Sequence, residues 1–116
     1  MKHLTLLLFL LITPLVKAQD VTLDNIATFE DKTVTLCETV TGTYQTKSEN
    51  KVLYLNFGAA FPNNAFTVVV FQKDFKNFSY DLLTLKNKKI CVTGKVVIYK
   101  GKPQIIISKE ADVVIP

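Results

Sequence analysis

The chain of 116 residues has no arginine and no tryptophan, and its only histidine is His3. Every cation is therefore a lysine, and the formal charge of +4 is a weak argument for nucleic acid, because arginine is the side chain preferred for bidentate phosphate contacts. A histidine confined to the start excludes His-based acid–base and triad chemistry from the rest of the chain. Cysteine occurs twice, at Cys37 and Cys91, far apart and with no histidine beside either, so a zinc site is not expected. The acidic residues Glu38, Glu49, Asp74, Asp81, Glu110 and Asp112 are scattered. No pair of them has the spacing of a carboxylate dyad or a calcium loop. Only four glycines are present and no phosphate-cradling loop occurs. The threonine hydroxyls have no base nearby in sequence. The chain is expected to carry no enzymatic activity, no metal and no cofactor.

One long apolar run is present, and it lies at the start. Met1-Lys2-His3 is short and basic, Leu4–Ile12 is almost wholly apolar, and Val16 and Ala18 occupy small-residue positions ahead of Gln19. That pattern predicts a secretory signal peptide over residues 1–18. The run falls short of the roughly 20 residues a membrane span needs, and no cysteine sits at the cut to anchor a lipid. Cleavage there would leave twelve lysines against ten acids. It would also leave one small domain of about 100 residues, which buries only a modest core. The protein is expected in the periplasm or outside the cell.

Two-residue alternation dominates the rest of the chain. Residues 19–31 read as a short leader in which Leu23, Ile26 and Phe29 could pack against a domain edge. Thr33–Gln45 reads as a first strand, with Val34, Leu36 and Val40 on one side and Thr33, Thr35, Cys37 and Thr39 on the other. Glu38 and Gly42 mark places where a long strand serving two sheets bulges or kinks. A polar loop, Thr46–Lys51, leads to a second strand, Val52–Phe57. A third, Ala65–Phe71, is apolar on both faces, as expected of a strand covered on both sides or closing a barrel.

Phe75, Phe78, Leu82 and Leu85 recur at spacings of three and four, the only helix-like pattern, weakened by Ser79 and Asp81. One or two turns with a break are expected there. Lys88–Ser108 is a long hairpin: two β-branched runs around Lys100-Gly101-Lys102-Pro103. Gly94 lies in phase with Ile90, Val92, Val96 and Ile98, which predicts a bend or a close approach of other chain. Val113, Val114 and Ile115 could add a short closing pairing.

In an oxidising compartment a bridge can persist. Cys37 and Cys91 both fall in the polar phase of their strands, which favours a disulfide between them. The alternative is two free thiols acting as small hydrophobes. The order strand, strand, strand, short helix, strand, strand suits an all-β, five-stranded Greek-key barrel with the helix closing one end. A two-layer α+β sheet is the competing geometry.

Several stretches carry a family likeness: Leu55-Asn56-Phe57-Gly58, Pro62–Phe71, Lys89–Val96 and Tyr99–Ile107. Together they resemble small bacterial OB-fold proteins of the nucleic-acid-binding superfamily, similar to the short domains of the tRNA-anticodon-binding type. The likeness spans about Lys32–Ile107. It implies an OB-fold domain over residues 32–116 with a ligand face across the second and third strands. That face would include Tyr54, Asn56, Thr67, Val69 and Phe71, with Lys47, Lys51, Lys100 and Lys102 at its rims. Single-strand binders of this fold combine stacking aromatics with a positive groove. The implied partner is single-stranded nucleic acid, and the alternative is an envelope protein or glycan. Nuclease chemistry on the same geometry needs arginine and a carboxylate cluster, and the chain has neither.

Overall fold

Alternating apolar residues become strands here because one face of each can be buried against the others. The computed structural model describes residues 20–116, so the expected signal peptide and Gln19 lie outside the described residues. Among these residues six strands form: β1 (Thr33–Gln45), β2 (Val52–Phe57), β3 (Phe66–Phe71), β4 (Lys89–Tyr99), β5 (Lys102–Ile106) and β6 (Val113–Val114). β1 pairs antiparallel with β2, β2 with β3, and β4 with β5, while β3 and β5 run parallel. β1 also pairs with β4. The five strands therefore meet in a ring, β1-β2-β3-β5-β4 and back to β1. β6 adds to the outside of β4, with Cys91 opposite Val114 and Val92 opposite Val113.

The ring is possible because β1 and β4 each serve two partners. Thr33–Thr39 of β1 pairs with Lys89–Lys95. Past Val40 the strand turns to β2, and the register slips between Val40 and Gly42. Thr41 is the extra residue, a β-bulge that bends the strand. In β4, Val96 onward leaves β1 for β5. Gly94 sits where the two halves meet. A Cβ there would stand 2.4 Å from Ile105 Cγ2, so the isoleucine occupies the space that glycine leaves open.

Inside the ring lie Leu36, Val40, Leu55, Phe57, Phe66, Val68, Ile90, Val92, Val96 and Ile105, all buried. Phe57 and Phe66 are cross-strand partners whose ring centroids are 5.3 Å apart. The segment between β3 and β4 forms two 3₁₀ pieces, Gln72–Asn77 and Leu82–Leu85. No α-helix forms here. Asp81 starts the second piece by accepting the Leu83 N–H at 2.9 Å, and Phe78, Leu82 and Leu85 enter the core. The leader is more tightly held than a mere edge packing: Ile26 is fully buried, and Asp31 donates to the Val96 carbonyl at 2.8 Å.

The cysteines stand directly opposite each other in the β1–β4 pair and are joined by a disulfide. Their neighbours on that outer face are Thr35 and Thr93, whose hydroxyls are 2.7 Å apart. The hairpin turn is tighter than the sequence suggests. Tyr99 pairs with Lys102, so Lys100-Gly101 is the whole loop. Both residues have positive φ, at 50° and 81°, the geometry of a type I′ turn. Pro103 belongs to β5, buried opposite Ile98. No helix among the described residues is long and apolar enough to cross a membrane.

Candidate functional site

Two rows of side chains cross the outer face of the ring. In one, Tyr44 of β1 lies opposite Tyr54 of β2, followed by Val69 of β3 and Ile106 of β5. In the next, Gly42 lies opposite Asn56, followed by Thr67, Gln104 and Val97. The bulge at Thr41 decides the first row. Without the extra residue, Tyr44 would keep the inward phase of Leu36 and Val40, because a one-residue slip exchanges the faces of a strand. With it, Tyr44 turns outward beside Tyr54.

A groove of about 880 Å³ runs over Tyr44 and Tyr54 of the first row and Gly42, Asn56, Thr67 and Gln104 of the second. The hairpin turn supplies one wall, with Tyr99, Lys100 and Lys102. The β2–β3 loop, residues 58–65, supplies the other with Phe61, Pro62 and Asn64. Gly58 starts that loop at φ +96°, and a Cβ there would meet Ala65 Cβ at 2.9 Å. Two tethers hold the loop over the sheet: the Thr41 hydroxyl reaches the Ala59 carbonyl at 3.1 Å, and the Lys102 ammonium donates to the Pro62 carbonyl. Lys86 joins the rim because the chain leaving Leu85 is pinned to β1, where Val40 donates to the Lys88 carbonyl and Asn87 to the Val40 carbonyl.

The chemistry of the lining is one-sided. Among the described residues three lysines line the groove and no carboxylate does. Tyr44, Tyr99 and Phe61 are 54%, 56% and 76% exposed, and Tyr54 lies half-buried between the walls. Lys100 Nζ sits 5.3 Å from the centre of the Tyr99 ring, within cation–π range. Lys102 donates one hydrogen to the neutral Pro62 carbonyl and keeps its charge and two further hydrogens, so Lys86, Lys100 and Lys102 can all meet an anion.

Beneath the opening is a polar cluster. Asn56, Asn64 and Thr67 are buried. Asn64 Nδ2 donates to Thr67 Oγ1 at 2.7 Å and lies 3.2 Å from Asn56 Oδ1. Thr67 Oγ1 donates to Asn56 Oδ1 at 3.1 Å. Asn64 Oδ1 is buried with no partner. Such an orphan acceptor costs about 1–3 kcal/mol.

Of the residues that the sequence points to, Tyr54, Asn56, Thr67, Lys100 and Lys102 come together in the groove. Phe71 and Lys51 do not. Phe71 pairs with Val52 at the far end of β3, and with Lys51 it lines a separate depression beside Gln72 and Lys73. Val69 is buried within the first row, and Lys47 is exposed on its loop, away from the groove lining. Sequence reasoning missed Tyr44, Phe61, Asn64, Lys86 and Tyr99. Only the Gly42 break in β1 hinted at the first of these. The chain matches no protein-family model and no curated protein.

Proposed function

We propose that this is a small exported OB-fold domain that binds single-stranded nucleic acid in the groove, acting as a binding module and not as an enzyme. The order of the ring, with β3 and β5 parallel, suits the five-stranded Greek-key barrel of that fold. The observation that carries the ligand is the lining: four aromatic rings and three lysines with no carboxylate among them. Bases stack on aromatic faces while cations follow the backbone. Fold alone fixes no ligand.

A second reading is an envelope glycan or protein in the periplasm or outside the cell. The disulfide favours it, because a Cys37–Cys91 bridge fits an oxidising compartment, where nucleic acid is scarce. Salt separates the two. Binding of single strands should weaken by a log–log slope of roughly −0.7 per neutralised phosphate, about −2.1 for Lys86, Lys100 and Lys102 together. A glycan held by rings and amides should show no such slope. The check is a tyrosine-fluorescence titration with short oligonucleotides at two salt concentrations, repeated with Tyr54→Ala. Loss of one stacking ring should weaken binding by about 1–3 kcal/mol. No binding at low salt rejects the nucleic-acid reading.

A further inference from the structure

Resting on the single-strand reading of the groove, we propose that the buried cluster Asn56–Thr67–Asn64 reads the hydrogen-bonding edge of one nucleobase. The groove would then prefer some bases over others, a selectivity that lysines and tyrosines alone do not supply.

One acceptor of the cluster goes unserved. An amide NH₂ has two hydrogens, yet Asn64 Nδ2 faces three acceptors: Thr67 Oγ1 at 2.7 Å, Asn56 Oδ1 at 3.2 Å and the Phe66 carbonyl at 3.5 Å. The Thr67 hydroxyl gives its one hydrogen to Asn56 Oδ1. Asn64 Oδ1 receives none, although Asn64 is only 4% exposed and lines the groove. A phosphate brings no donor and cannot satisfy Asn64 Oδ1. A nucleobase edge brings an N–H beside an acceptor. Asn56 Nδ2, which makes no hydrogen bond among the described residues, can serve that acceptor.

Placement agrees with this chemistry. Asn56 and Thr67 are adjacent rungs of β2 and β3, fixed by the strand ladder. Asn64 is on the loop, so its amide can turn toward an incoming N–H without breaking a strand. The tyrosine row lies one strand repeat away, about 7 Å, so a single strand stacked on Tyr44 and Tyr54 passes over the amides.

The test titrates the disulfide-bonded protein with short deoxyoligonucleotides of one base each, and with an abasic sugar–phosphate oligomer of equal length. At least one base should bind about tenfold or more tightly than the abasic strand. Asn64→Leu should erase that margin, so that base-bearing and abasic strands bind the variant alike. The side-chain amide NMR signals of Asn56 and Asn64 in the unsubstituted protein should shift with the preferred base and not with the abasic strand, a measurement that needs no variant to fold. Equal affinity for base-bearing and abasic strands, or amide signals that stay fixed while the strand binds, overturns base reading and leaves the single-strand proposal standing. Failure of every oligonucleotide to bind overturns both.

Discussion

Single atoms decide several properties of this protein. At Gly94 a methyl group has nowhere to go, since Ile105 Cγ2 already occupies its place. Gly94→Ala should therefore destabilise the fold by about 1–3 kcal/mol, the usual effect of overpacking a core, read from denaturant unfolding. Glu110 is a different case. Its carboxylate accepts the Ser79 N–H at 2.6 Å, and hydrogen bonds from Ser79 hold its pKa below the ordinary carboxylate value. Tyr80 is pushed above its usual value, first by burial and then by the Glu110 charge. A depressed folded pKa gives stability that is present above the unfolded pKa and lost as pH falls through the folded one. Glu110→Gln should thus be less stable than the parent at neutral pH, and the two should converge in acid. Thermal unfolding across pH checks this, and a gap that persists in acid would refute it.

At the scale of an element, β1 does the most. Its first half carries Cys37 opposite Cys91, and its second half carries Tyr44 opposite Tyr54. Thr41 between them changes the partner strand and the facing of every residue beyond it. The Thr41 hydroxyl also holds the Asn56 carbonyl at 3.0 Å, so the residue that turns the strand also fixes the groove wall. The disulfide ties β1 to β4 across 54 residues of sequence. Replacing both cysteines by serine should lower stability by about 2–4 kcal/mol, measured by unfolding with and without reductant. Unreduced protein should also resist a thiol-reactive label, because both cysteines are in the bridge.

For the whole molecule, charge and shape work on different sides. The core is apolar and continuous from Ile26 to Val113. The charged groups are left to the surface, and three lysines reach the groove because the hairpin turn and the return to β4 converge there. Overall charge predicts little about this. The formal excess of +4 is small, and it is the local absence of carboxylates that gives the groove its sign.

Much of the ring is legible in the residues. Alternation marks β1, β2 and β4 because each buries one face. The polar phase of Cys37 and Cys91 points to their bridge because both lie on the outside of paired strands. The helix-like spacing at Phe78, Leu82 and Leu85 signals packing into the core, although the packing comes from 3₁₀ turns. The groove is only half legible. Tyr54, Asn56 and Thr67 come from the ligand face that the OB-fold resemblance implies, read onto these strands by phase. Phase says nothing about distance along a strand, so Phe71, chosen on the same grounds, falls at the wrong end.

Local sequence determined which segments extend and which face of each is apolar, since those follow from side-chain period and burial. Tertiary structure alone decided which rings, amides and lysines meet. That depends on a one-residue slip at Thr41, a two-residue turn at Lys100-Gly101 and a loop tethered from two other strands. The slip and the tethers are set by contacts between residues far apart in the chain, and the turn, itself local, meets the groove only through the strands beneath it.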